Sequence, residues 1–258
     1  MEGWLPPELL EALRQVNGCR VADAIEMFQV RLRHEGFASD NSVHCLFKNL
    51  PPMVGYAVTG RIRTESPPLA STVPPPRQLV FVDRRDWWNH ILSMPAPRVL
   101  VMQDIDRSPG FASLFGRVHT PIGKALGCVG YVTNGAVRDL EAAERIGFHF
   151  FAGHVSISRA YAHVVDFGEP VEIGGLRIAP GDLVHGDQHG IQTIPRSVAA
   201  QIPAMAALLM EKERAVIEYC QSPDFSLPKL QALLRQVGEP PVLEPVTVNQ
   251  SGKDQKRR

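Results

Sequence analysis

The stretch that most constrains this chain runs from Gly127 to Asp139: Gly-Cys-Val-Gly-Tyr-Val-Thr-Asn-Gly-Ala-Val-Arg-Asp. Cys128 to Thr133 is a short run rich in β-branched and aromatic residues, bounded by glycines, which is the pattern of a buried strand. Asn134-Gly135 is expected to break that strand, so that Arg138 and Asp139 fall just beyond its end, before a helical stretch from Leu140 to Ile146. An Arg and an Asp delivered side by side at a strand-to-helix turn can build an anion-plus-metal site. The carboxylate offers hard oxygen to Mg²⁺ or Mn²⁺, and the guanidinium offers a bidentate fork to a carboxylate substrate. The same pair also reads as a surface ion pair capping a helix, and both readings are open at this point.

Signals on either side give an alternation of strands and helices. Pro6-Pro7 followed by Glu8-Leu9-Leu10-Glu11 is a helix start, with Asn17-Gly18 as its stop. A second helix is expected from Val21 to about Phe28, with Asp23 as its cap rather than facing a cleft. Met53 to Arg63 reads as a strand interrupted by glycines. The proline-rich segment 66–76 reads as a surface loop or inter-subunit arm, and Asp86 to Leu92 as a helix. Trp87 and Trp88 cannot share one face of that helix. Arg98 to Met102 is a continuous apolar strand, which implies cover on both faces. It ends in Gln103-Asp104-Ile105-Asp106. Ligands in open α/β sheets collect at the carboxyl ends of strands, so Asp104 and Asp139 are expected to border one crevice. Phe148 to Ala152 is a further strand, Pro170 to Ile178 a hairpin around Gly174-Gly175, and Ser197 the cap of a long helix to about Cys220.

Composition narrows the classes of function. Lysine plus arginine and aspartate plus glutamate each number 27, so no basic excess favours phosphate-driven nucleic-acid binding. No apolar run approaches the length of a bilayer span, and Met-Glu-Gly-Trp-Leu-Pro-Pro has no secretory pattern. Cys19, Cys45, Cys128 and Cys220 form no CxxC pair and read as reduced thiols of a cytoplasmic protein. The expected organisation is one domain over residues 1–244 and a disordered polar tail over 245–258.

The order of the motifs resembles the RraA-like family. The residues that carry the resemblance are Gly116, Gly127-x-x-Gly130-x-Val132-x-Asn134-Gly135-Ala136-Val137-Arg138-Asp139, Pro170-Val-x-Ile-Gly174-Gly175 and Pro180-Gly181-Asp182-Leu-Val-x-Gly186-Asp187-x-x-Gly190. Ala22-Asp23-Ala24 and Gly55-x-Ala57-Val58-Thr59 are weaker matches. That family includes the 4-hydroxy-4-methyl-2-oxoglutarate aldolases and the regulators of ribonuclease activity. The resemblance implies an α/β fold, a layered ββα sandwich of the swivelling-domain kind, assembled as a homotrimer or homohexamer. It implies a divalent ion, Mg²⁺ or Mn²⁺, held by Asp139, a substrate contact from Arg138, and carboxylate-binding backbone at Gly116, Arg117 and Val118. Arg138 and Asp139 would then be the catalytic pair of a class II-type aldolase or decarboxylase. The substrate implied is a small 2-oxo acid or another anionic metabolite.

One departure stands out. The aldolases carry an acidic residue, then twenty residues, then Arg-Asp, and counting back from Arg138 puts Arg117 at the acid's place. Arginine stays protonated and cannot act as a base. Pro121 makes a helix starting at Gly116 unfavourable, so Thr120 is expected as N-cap with Pro121 as the first helical residue. With this departure the resemblance leaves three readings open: a metal-dependent lyase, a non-catalytic member that binds a protein or small anion, or a family enzyme of another reaction whose chemistry tolerates or uses Arg117. His185, Asp187 and His189 alternate, but on one extended strand they would lie about 7 Å apart, too far to share an ion without a turn; a structural role is expected. Ser156, Ser158 and His154 lack a nucleophile elbow. Glu211 and Glu213 sit on the last long helix, from which the family aldolases send a Glu into a neighbour's site, but a solvated charged face is the expected reading.

Overall fold

The computed structural model describes residues 4–66 and 84–237. The tail 245–258 and all but the first residue of the proline-rich segment lie outside the described residues. Helices α1 (Pro7–Arg14) and α2 (Gly18–Met27) lead into β1 (His44–Cys45) and the long β2 (Met53–Arg63). Helix α3 (Arg84–Ser93) precedes β3 (Arg98–Asp104), the short β4 (Ser113–Phe115) and α4 (His119–Ala125). Next come β5 (Cys128–Val137), α5 (Leu140–Arg145), β6 (His149–Val155) and β7 (His163–Phe167). Two hairpins follow, β8 (Val171–Ile173) with β9 (Leu176–Ile178), and β10 (Leu183–Asp187) with β11 (Gly190–Ile194). Helices α6 (Ile202–Cys220) and α7 (Leu227–Val237) complete the described chain.

The main sheet has nine strands in the order β1-β6-β5-β3-β2-β10-β11, with β4 on β5 and β7 on β2. Strands β2, β3, β5 and β6 run parallel. Side chains alternate across it. Val58, Leu100, Met102, Tyr131 and Phe150 pack on one face, where α3 adds Trp87 and Ile91 and α5 adds Ala143. Ala57, Val99, Val101, Val132 and Phe151 pack on the other, covered by Val171, Ile173, Leu176 and Ile178 of the β8–β9 hairpin. Helices, sheet and hairpin are thus stacked in layers, the α/β sandwich expected. The hairpin turn falls on Gly174 and Gly175, with φ of 62° and 74°, angles at which a side chain would be strained. Burying a Leu100-sized side chain on a sheet covered this way contributes about 1.5–3 kcal/mol.

Several elements differ from the sequence expectation. Strand β5 does not break at Asn134-Gly135 but continues to Val137, with its register against β6 shifting between Thr133 and Ala136. The Asn134 side chain accepts from the Asp104 amide at 2.7 Å and donates to the Asp104 carbonyl at 3.0 Å, replacing the interrupted ladder. Helix α2 starts at Gly18 because Asn17 caps it, accepting from the Arg20 amide; Asp23 lies mid-helix, 3.5 Å from Arg20. Helix α4 starts at His119, so Pro121 is its third residue, and Thr120 donates its hydroxyl to the Gly116 carbonyl rather than capping. Pro tolerates that place because first-turn amides have no intrahelical acceptor. Helix α6 begins at Ile202 after a 3₁₀ turn at Ala199–Gln201, not at a Ser197 cap.

Two compact units emerge, residues 1–206 and 207–258. In the second, the Tyr219 hydroxyl accepts from the Ser226 amide at 2.7 Å and donates to the Asp224 carbonyl, fixing the turn before α7.

Candidate functional site

Strand β5 ends at Val137 and delivers Arg138 and Asp139 before α5, as the sequence suggested. Asp139 occupies the left-handed region, at φ 57° and ψ 49°, and its side chain makes no capping hydrogen bond to α5. Its Oδ2 instead accepts from the Arg117 backbone amide at 2.8 Å and lies 3.4 Å from Arg138 Nε. No described residue donates to Oδ1, and the side chain is 37% exposed. The helix-cap reading therefore fails: the carboxylate is aimed across the turn, at the loop that precedes α4.

That loop must come close for this to happen. A Cβ on Gly116 would sit 2.7 Å from Asp139 Oδ2 and 2.8 Å from Arg138 Cγ, so only glycine fits. Thr120, fully buried, holds the loop from the other side through its bond to the Gly116 carbonyl. The structure thus brings together Gly116, Arg117, Arg138 and Asp139. Arg138 also donates from Nη1 to the Ile157 carbonyl at 3.2 Å.

A cavity of about 460 Å³ opens beside Arg138 and the 116–118 loop. Arg117, Val118, His119, Arg138, Arg159 and His163 line it, and among the described residues no Asp or Glu does. Its apolar wall comes from Trp87, Ile91, Ile122, Leu126 and Val164. Among the described residues the guanidinium groups of Arg117 and Arg159 have no hydrogen-bond or ion-pair partner. Sequence reasoning missed Arg159 and His163, which come from the segment between β6 and the start of β7 and carry no motif. Trp87 and Trp88 were marked as unable to share a face; Trp87 is 7% exposed and Trp88 37%.

Asp104 does not share this site. It is buried beneath Gly135, where its Oδ1 accepts from the Asp106 amide and its Oδ2 from the Gly110 amide. Burial pushes its carboxyl above the ordinary value, against the pull of those amides. The crevice expected between Asp104 and Asp139 is not formed, because the Asp104 side chain turns inward to hold the following loop. Burial also pushes Asp106 up, but the Thr64 and Glu65 amides and the Thr64 hydroxyl outweigh it and hold the carboxyl low.

Among the other candidates, Asp187 and His185 hold the frame together. Asp187 accepts from the Gly18 amide at 2.7 Å and the His189 amide at 2.8 Å, while His185 Nε2 meets the Val16 carbonyl at 2.8 Å. They tie the start of α2 to the β10–β11 hairpin, and the turn expected at Gly186-Asp187-x-x-Gly190 is present. Ser156 Oγ donates to the Phe111 carbonyl at 3.3 Å. Glu211 pairs with Arg214 at 3.7 Å. Among the described residues no group of three or more His, Cys, Asp or Glu is placed to hold a metal, and no helix is long and apolar enough to cross a membrane.

A protein from Halalkalibacterium halodurans, provisionally named a 4-hydroxy-4-methyl-2-oxoglutarate aldolase, is 35% identical over 74 residues, 28% of this chain and about a third (35%) of that relative's length. An uncharacterized protein from Pseudomonas syringae pv. tomato has the same fold with a TM-score of 0.65 at 20% identity, over 92% of this chain and 97% of that one. Streptomyces coelicolor RraAS2, described as an unusual member of the RNase ES inhibitor RraA protein family, superposes with a TM-score of 0.60 at 21% identity, over 82% and 97% of the two chains. The sequence pattern of the RraA-like family (aldolase/RraA) matches residues 18–192, from the Asp187-bound start of α2 through the Arg138–Asp139 turn to the last hairpin, and the chain belongs to that family.

Proposed function

We propose that this protein is a carbon–carbon lyase acting on a small 2-oxo acid, and that decarboxylation of a 3-carboxy-2-oxo acid such as oxaloacetate is the reaction its residues suit best. The observation that carries this reading is Asp139, a non-glycine residue in the left-handed region whose carboxylate is pinned beside Arg138. Aspartate enters this region more readily than most non-glycine residues, and here the turn aims its carboxylate at the Arg117 amide rather than at α5. A relative named as an aldolase supports the same reaction class.

Arg138 would bind the substrate carboxylate through its remaining N–H donors. The donor set fits a water-rich Mg²⁺ or Mn²⁺ at Asp139, because such ions keep several waters and take one or two carboxylates plus substrate oxygens. When bound, the ion supplies a Lewis acid at the 2-oxo oxygen, where negative charge develops. The Arg117 amide keeps Oδ2 oriented, and Gly116 permits that approach. Aldol cleavage of a 4-hydroxy acid needs a base for the hydroxyl proton, and Arg117 cannot be one. Decarboxylation needs none: the carbon–carbon electron pair passes into the enolate as CO₂ leaves, and the enolate takes a proton from solvent.

The test is oxaloacetate decarboxylation with added Mg²⁺ or Mn²⁺. Asp139→Asn should abolish both turnover and any metal-induced thermal shift while leaving the fold intact. An unchanged metal response in the variant overturns the assignment.

A second reading, a non-catalytic binder of a small anion, is favoured by the unpartnered Arg117 guanidinium. The two separate on Arg117→Asp. Restoring an acid should raise metal-dependent cleavage if the position has only lost its base, and should weaken binding of an anion such as oxalate if Arg117 is a ligand.

We further propose a homotrimer or a multiple of it. Phe111, Val118, Val155, Ile157 and Tyr161 near the site are 54–98% exposed, an apolar cluster of the kind that marks an interface. Light scattering that reports a stable monomer overturns this.

A further inference from the structure

The cavity beside Arg138 has a composition that a compact diacid does not explain. Its volume of about 460 Å³ lies within the range of about 300–1,000 Å³ common for small-molecule sites. A four-carbon diacid is polar at both ends and would leave the apolar lining of Trp88, Ile122, Leu126 and Val164 facing water. Apolar walls hold water poorly, because each water needs several polar partners. The charged side chains that line it are cationic: among the described residues Arg117, Arg138 and Arg159 line the cavity and no carboxylate does, although Asp139 pairs with Arg138 just outside the lining. Guanidinium groups gathered in this way repel one another, and an anion relieves the repulsion.

We infer that the ligand of this site is a 2-oxo acid that carries an aromatic-sized apolar group: its carboxylate meets the arginines and its ring lies against Trp88, Ile122 and Leu126. The inference rests on the proposed reading of Arg138 as the carboxylate anchor and extends it to the rest of the molecule. Under the decarboxylase reading the substrate is a 3-aryl-2-oxosuccinate. The bond between C3 and its carboxylate breaks, CO₂ departs, and the enolate takes one proton to give an arylpyruvate. The aromatic edge is provided by α3, whose Trp88 lines the cavity while Trp87 packs 5.6 Å, centroid to centroid, from Phe167 and holds the helix in place. Aromatic pairs gain from offset or edge-on contacts beyond burial, so a ligand ring gains more here than an alkyl group of similar size.

The experiment is calorimetric titration of the full chain with pyruvate and with phenylpyruvate, the products that the compact and the aryl substrate would leave. Phenylpyruvate should bind at least tenfold more tightly, and the ratio of the two constants should fall towards one in Ile122→Asp, which puts a carboxylate into the apolar wall. Trp88→Ala, at a more exposed lining position, serves as the second variant if thermal unfolding shows Ile122→Asp to be misfolded; it should lower the ratio several-fold. Arg159→Gln should weaken both ligands. If pyruvate binds in an Arg138-dependent way and phenylpyruvate binds no better, this inference is overturned while the proposed function stands. If neither ligand binds, both fail. A preference for phenylpyruvate that survives both wall substitutions places the ring elsewhere and overturns the inference as well.

Discussion

Asp139 offers the most direct separation of aim from stability. Its backbone lies in the left-handed region, and its Oδ2 accepts one amide bond from Arg117. Asp139→Asn keeps a residue that tolerates this conformation and keeps an oxygen that can accept from Arg117. Only the ion pair with Arg138 is lost, at 3.4 Å and with both side chains more than a third exposed, so solvent screening holds its worth to about 0–1 kcal/mol. Asp139→Val loses the acceptor and forces a β-branched residue into left-handed backbone. The strain costs roughly 1–2 kcal/mol, and the orphaned amide adds about 1 kcal/mol, the lower end of the range because the site is open to water. Valine should therefore cost about 2–3 kcal/mol and asparagine less than about 1 kcal/mol, while both abolish turnover. Urea unfolding with a common slope measures the difference, which for a chain of this size corresponds to a gap in Tm of several degrees, at about 2–4 °C per kcal/mol. Equal losses for Asn and Val would refute the claim that backbone conformation, rather than the carboxylate's charge, carries the local strain.

The other predictions test the frame around the site. Gly116→Ala places a methyl group 2.7 Å from Asp139 Oδ2; it should destabilise by about 1–3 kcal/mol and remove anion binding, and unchanged oxalate affinity by calorimetry would count against the close approach. Asp104 and Asp106 should pull stability in opposite directions with pH. The raised Asp104 carboxyl gives a contribution present below the ordinary value of 3.8 and lost as pH rises through its folded value, whereas that of the lowered Asp106 is present above 3.8 and lost as pH falls through its folded value. Denaturation at pH 3, 4.5 and 7 should accordingly show less acid-side loss in Asp106→Asn and less loss on raising the pH in Asp104→Asn than in the parent. Burial holds His185 neutral, below its ordinary 6.5, so its stabilisation is present above that value and lost on acidification; His185→Gln should flatten the fall between pH 7 and 5, measured by urea midpoints.

Much of the fold was legible because it is encoded locally. The strand at Met53–Arg63, the apolar strand from Arg98 and the hairpin at Gly174-Gly175 follow from β-branched runs and from turn residues with few alternatives. The placement of Arg138 and Asp139 between a strand and a helix was equally local. Asn17 was legible as punctuation but not as the cap that starts α2, since a stop and a start in adjacent residues share the same signal.

What the sequence could not decide depends on partners distant along the chain. Asn134-Gly135 reads as a break, yet β5 continues because Asn134 bonds the backbone of Asp104, thirty residues earlier. Asp139 reads equally as a helix cap or an aimed carboxylate, and the choice falls to an amide twenty-two residues away in the Gly116–Val118 loop. The cavity draws its apolar wall from α3, the α4 end and β7, and two of its cations, Arg138 and Arg159, from chain beyond β5, segments with no shared pattern in sequence. By itself the sequence determined the layers, the turns and the Arg–Asp pair, because each rests on the conformational preferences of neighbouring residues. Only the tertiary structure decided where that carboxylate points and which charges and rings face it, because those depend on contacts that exist once the sheet has brought remote segments together.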